Sequence, residues 1–159
     1  MKFSAQEEFG LRCILQIARL GEGGSLTIPE IAKNEGMSAT HVAKLLMILR
    51  RDGFLIATRG QQGGYALAKP ADKTYVGDVL AALGGRLYDD GFCVRHASAD
   101  DEACRHAVDC SVRSLWQSIQ GAVDGIVATL TLADLLESKD LAPNVTLFAE
   151  PRRPLIPAQ

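Results

Sequence analysis

The chain has 159 residues, enough for one well-packed core or a small domain with an appendage, and 47% of them are hydrophobic. Its formal net charge of −2 divides unevenly: residues 1–75 hold 10 Lys and Arg against 7 Asp and Glu, whereas residues 76–159 hold 7 against 12. A basic first half suits a phosphate-binding edge, while the lack of a long apolar run and of a signal-peptide core in MKFSAQEEFG argues against a membrane span or export and for a cytoplasmic protein.

The spacing predicts a first helix over 3–20 with Phe9, Cys13, Ile14, Ile17 and Leu20 inward, Cys13 serving as a small core residue and Glu7 and Glu8 as solvated acids of the first turn. Gly21 to Ser25 reads as a loop. Thr27-Ile28-Pro29-Glu30 has the form of a capping box with proline in the first turn, so a short helix should cover 28–35 and end at Gly36. Ser38 then caps another helix, in which Val42, Leu45, Leu46 and Leu49 make one apolar face and Thr40, His41, Lys44 and Arg51 point outward. Gly53 supplies the stop. Two strand-like runs, Phe54 to Thr58 and Tyr65 to Ala68, flank the tip Arg59-Gly60-Gln61-Gln62-Gly63-Gly64. Two helices joined by a tight turn and followed by a hairpin form a winged helix-turn-helix, which sets the N-terminal end of its second helix against base edges in the major groove. Ser38, Thr40, His41 and Lys44 would project there, and Arg59 at the hairpin tip would enter the adjoining minor groove.

Beyond the wing, Lys69 to Asp72 is a turn, and Val76, Val79, Leu80 and Leu83 mark a short helix ended by Gly84-Gly85. From Arg86 to Val108 no periodicity survives, and a loop of that length is usually functional or disordered. A long helix is expected from Asp109 to Ser138, because Val112, Trp116, Ile119, Val123, Ile126, Leu130 and Ala133 repeat at heptad-like spacing. Such a seam asks for a second helix, most economically that of another subunit, and Gly121 and Gly125 would allow it close. Pro143, Pro151, Pro154 and Pro157 make the last segment an extended arm. The reading is thus mainly α with a small β-hairpin: a DNA-binding domain over 1–85, a cysteine-containing loop over 86–110, a dimerisation helix over 111–138 and an arm over 139–159.

Three of the four cysteines, Cys93, Cys104 and Cys110, fall in or at the end of that loop. Structural disulfides are not expected in the cytoplasm, and the spacing matches neither a zinc finger nor a bacterial ferredoxin. A thiol cluster whose last member starts a helix, where the dipole favours thiolate, still suits iron–sulfur ligation, with a fourth ligand supplied from elsewhere or from another subunit. Reversible oxidation of the same thiols without metal is the alternative. No nucleotide-binding glycine motif and no nucleophile–base pair point to an enzyme.

In its opening MKFSAQEEFGLRCILQIA, in TIPEIAKNEGMSATHVAKLLMILRRDGFLIATRGQQGGYALAKP, in VGDVLAALGG and in three cysteines before a long helix, the chain resembles the IscR/NsrR/RirA-type (BadM/Rrf) winged-helix repressors over about residues 1–138. The resemblance implies a homodimer on palindromic double-stranded DNA, with contacts from Ser38 to Lys44 and from the wing, Arg59, Gln61 and Tyr65 included. It also implies a [2Fe–2S] or [4Fe–4S] cluster on Cys93, Cys104 and Cys110 that reports iron–sulfur, redox or nitric oxide status. The gap between Cys93 and Cys104 is longer than usual for that family, and Arg113 stands where some members carry a histidine. Glu8 occupies the place of an acidic ligand that other members supply from the partner's first helix, with His106 and His96 as alternatives.

Overall fold

A computed structural model describes residues 4–58, 63–86, 88, 91 and 110–137. Helix α1 (Ala5–Ala18) starts on a capping box that the composition of its first turn conceals. Ser4 Oγ accepts from the Glu7 N–H at 3.2 Å, and the Glu7 carboxylate accepts from the Ser4 N–H at 2.7 Å. Glu7 is therefore a cap rather than a simply solvated acid. Gly10, Cys13, Ile14, Ile17 and Ala18 form the buried stripe of α1, while Leu20, expected inward, lies past the helix and is half exposed. At Gly10 the missing side chain is required, because a Cβ there would collide with Leu83.

Strand β1 (Ser25–Leu26) emerges from what reads as loop, and α2 (Ile28–Glu35) follows on the Thr27/Glu30 capping box. Gly36 closes α2 in the left-handed region at φ 65°, which permits the tight turn into α3 (Ala39–Arg51). Val42, Leu45, Leu46 and Leu49 of α3 are at most 1% exposed, each contributing about 1.5–3 kcal/mol of burial. Gly53 reverses the chain at φ 81° into β2 (Leu55–Ala57), and β3 (Tyr65–Leu67) returns. The sheet has three strands in the order β1-β3-β2, all antiparallel, with Ser25 opposite Ala66 and Leu55 opposite Leu67. The expected hairpin is present, widened by one strand that fastens its base to the body.

A 3-10 turn (Ala71–Lys73) leads to α4 (Val76–Gly84), whose Val76, Val79 and Leu83 complete the core with α1 and α3. The long helix differs from expectation. It runs as α5 (Ser111–Val127), stops, and restarts as α6 (Leu132–Glu137). The physical reason is a second start signal: the Thr131 hydroxyl accepts from the Asp134 N–H at 3.2 Å, and the Asp134 carboxylate accepts from the Thr131 N–H at 2.8 Å. Between the two helices the backbone is captured by the body. The Val76 N–H donates to the Leu130 carbonyl at 2.8 Å, and the Leu132 N–H donates to the Thr74 carbonyl at 2.9 Å, which buries Leu132 fully. The heptad-like seam is therefore one helix long, since Leu130 and Ala133 belong to the return segment. Most of the cysteine-containing loop and the whole 139–159 arm lie outside the described residues. Among the described residues no helix is long and apolar enough to cross a membrane.

Candidate nucleic-acid interface and sensor thiol

At about 100° per residue, Thr40, Lys44, Met47 and Arg51 fall on one line of α3, opposite the buried stripe. All four are exposed. Helix α3 itself contains no carboxylate, and although Arg51 pairs with Asp52 at its C-cap at 3.0 Å, Lys44, Arg50 and Arg51 leave its outer surface net cationic. Ser38 fixes where this surface begins: its hydroxyl oxygen accepts from the His41 N–H at 3.2 Å, which leaves the hydroxyl hydrogen available to an outside acceptor.

His41 does not point outward as expected. Its ring meets Phe9 of α1 edge-on, with centroids 5.7 Å apart and planes at 76°. The reason is angular: position 41 lies about a quarter turn from the middle of the buried stripe, on its flank rather than opposite it. His41 is thus half-buried on the α1–α3 seam. Tyr65 is likewise partly buried, packed on the core from β3 opposite Ala57 and Leu26. Arg59 and Gln61 lie outside the described residues. The wing's base is closed by Thr58, whose N–H donates to the Gly64 carbonyl at 2.8 Å and whose hydroxyl accepts from the Gly64 N–H at 2.9 Å. Gly64 has no alternative, because a Cβ would strike the Leu26 carbonyl of β1.

At the start of α5, Cys110 is a free, half-buried thiol at the helix cap, next to N–H groups that have no partner within the helix. Cys13 is its opposite. Fully buried on α1, first by desolvation and second by the nearby Glu35 charge, its thiol is pushed up to about 12, so it stays protonated and serves as core. Glu8 projects from α1 into solvent with its carboxylate 3.7 Å from the equally exposed Arg12, a contact that yields readily to a stronger partner. A thiol at a helix start and an unburied carboxylate are donor types that fit iron; the buried Cys13 is not. Cys93, Cys104, His96 and His106 lie outside the described residues, and among the described residues no three His, Cys, Asp or Glu side chains converge.

Helix α5 is held to the body by a polar link. The Tyr88 N–H donates to Gln120 Oε1 at 2.9 Å, Gln120 Nε2 donates to Asp124 at 2.7 Å, and Arg86 pairs with Asp124. Gln120 is the helix's one buried residue, whereas Val112 and Leu115 are 55% exposed and Trp116 is 40% exposed.

The model of the Rrf2 family, described as an iron-dependent transcriptional regulator, matches residues 3–138. The chain belongs to the Rrf2 family. Protein rrf2 of Nitratidesulfovibrio vulgaris is 32% identical over 144 residues, covering 91% of this chain and 93% of that protein. Among solved structures, IscR of T. potens superposes with a TM-score of 0.67 at 26% identity, over 86% of each chain. The oxidized form of Staphylococcus aureus CymR superposes with a TM-score of 0.65 at 26% identity, over 88% of this chain and 99% of that one. As an Rrf2-type winged-helix protein, the chain is a DNA-binding transcriptional regulator and not an enzyme.

Proposed function

We propose that this Rrf2 protein is a cytoplasmic homodimer that binds palindromic double-stranded DNA and adjusts that binding through an iron–sulfur cluster ligated by Cys93, Cys104, Cys110 and Glu8 of the partner subunit. His106 and His96 are the alternatives to Glu8. The observation that carries this reading is the opening of α5, where the free thiol of Cys110 is followed at once by the exposed Val112, Leu115 and Trp116. A sensing atom and a surface in need of a second subunit thus share the first two turns of one helix. Domain limits of 1–85, 86–110, 111–138 and 139–159 follow, the third of these comprising two helices.

In this arrangement Ser38, Thr40 and Lys44 face base edges, His41 steadies α3 on α1 and reaches DNA only with its free edge, and Arg59, Gln61 and Tyr65 bring the wing to the backbone and minor groove. Two such heads read half-sites about one helical turn, roughly 34 Å, apart. A bound cluster supplies iron that responds to iron supply, oxidants or nitric oxide. The chain's own part is to present the Cys110 sulfur at the helix start and to hold Glu8 unburied.

Protein purified without oxygen should be coloured and contain iron and sulfide, and its DNA isotherm should shift when the metal is stripped. Colourless protein that resists reconstitution ends the cluster reading while leaving DNA binding intact. A second reading, a metal-free thiol switch, is favoured by the similarity to the oxidized form of CymR. Cys104→Ser separates the two: a cluster is lost or weakened by this change, whereas a switch centred on Cys110 persists.

A further inference from the structure

Met47 is the most exposed large hydrophobic side chain among the described residues, at 63%. It cannot serve the core, because the inner side of α3 is already filled by Val42, Leu45, Leu46 and Leu49. It stands instead on the outward line, one turn beyond Lys44 and two beyond Thr40, with Arg50 and Arg51 after it. Asp52 at the C-cap pairs with Arg51 at 3.0 Å, but Lys44, Arg50 and Arg51 outnumber that one carboxylate, and a net cationic surface attracts a polyanion and repels basic proteins, so the occupant that fits Met47 is also the one that fits Lys44.

We infer that Met47 is a specificity-determining residue whose thioether end packs on the C5 methyl of a thymine in the major groove. This rests on the proposed docking of α3 and names one base it selects. Thymine alone presents a methyl group in that groove, and it is read by apolar contact rather than hydrogen bonds. Methionine suits the task, being unbranched, flexible and polarizable. Along the helix axis Thr40 and Met47 are about 10 Å apart, the length of roughly three base-pair steps, so Met47 reaches a base separate from those near the N-terminal end.

The test begins by selecting preferred sites for the full chain from a library of random DNA duplexes. In the selected duplex each thymine is then replaced singly by deoxyuracil, which removes only the methyl group. The wild-type protein should lose about fourfold in affinity at one thymine per half-site, the worth of one buried methyl. Met47→Ala should bind the unmodified duplex about that much more weakly and be indifferent to the replacement, and Met47→Leu should retain the sensitivity. The inference is overturned if wild type ignores every deoxyuracil, or if Met47→Ala keeps the full response. It is also overturned if Met47→Ala changes the sedimentation coefficient while the deoxyuracil pattern stays, since Met47 would then be a subunit contact. If wild type selects no sequence at all, the docking of α3 fails and this inference with it, an outcome readable apart from the others.

Discussion

Helices α3 and α5 are both amphipathic, yet they stand in opposite relation to the body. The 13 residues of α3 seal four apolar side chains inside and present cations outside, whereas the 17 residues of α5 bury one glutamine and leave Val112, Leu115 and Trp116 in solvent. A helix of the first kind is completed by its own chain. One of the second kind exposes the sort of contiguous apolar surface that marks an interaction site.

Four changes break or sharpen this contrast. If α5 carries the proposed dimer, Trp116→Glu should have the largest effect, weakening self-association at least about 100-fold, as expected for a central aromatic anchor. Sedimentation would show a monomer with unchanged circular dichroism, and a persistent dimer would place the interface elsewhere. Leu46→Ala should cost each subunit about 2–5 kcal/mol, measured by urea melts in the Trp116→Glu background so that only the body is read. A loss no greater than that of a surface substitution would mean that the α3 core is not as described. Gly121→Ala comes next. A Cβ there meets nothing within 4 Å, so the monomeric form should gain about 1 kcal/mol of helix stability. In the wild-type background the same change should weaken the dimer if a neighbouring backbone sits on Gly121, and a gain in both backgrounds would remove it from the interface.

Thr131→Val has the smallest expected effect. Hydrogen bonds from the Thr131 hydroxyl and N–H hold the Asp134 carboxyl below its ordinary value. A depressed folded-state pKa stabilises the fold above the unfolded value, and that contribution is lost as pH falls through the folded value. The variant should be slightly less stable than wild type near neutrality, and the gap should narrow on acidification through the carboxylate range. Urea midpoints taken across that range would show it, and a constant gap would mean that only the hydroxyl cap matters.

The features legible in the sequence were those written in local spacing. Thr27-x-x-Glu30, Gly36, Ser38, the stripe of α3 and Gly53 each act within a few residues, and each stands where the pattern puts it. Ser4-x-x-Glu7 and Thr131-x-x-Asp134 carry the same kind of signal, but the longer apolar repeats around them mask it, which hides one cap and makes α5 look longer than it is. Strand β1 was not accessible to this reasoning, because two residues gain their identity from a pairing with Tyr65 and Ala66 some forty positions later. His41 shows how narrow the margin is. A residue on the flank of a stripe looks polar and outward until Phe9 arrives from another helix. The candidate ligands divide the same way: Cys110 is readable as a helix start, while the proposed pairing of Glu8 with a thiol involves a second subunit that no local spacing within one chain encodes.

The two hydrogen bonds joining Thr74 and Val76 to Leu132 and Leu130 lie just past one end of a helix about 25 Å long, whose far end begins at Cys110. That arrangement is a rod anchored at its foot and again near its middle, where Gln120 accepts from the Tyr88 N–H and Asp124 pairs with Arg86. Beyond the middle anchor about 15 Å of helix runs to Cys110, so a tilt of about five degrees carries that tip roughly 1 Å. The end of α5 that carries Cys110 is therefore the part of the helix that the body holds least.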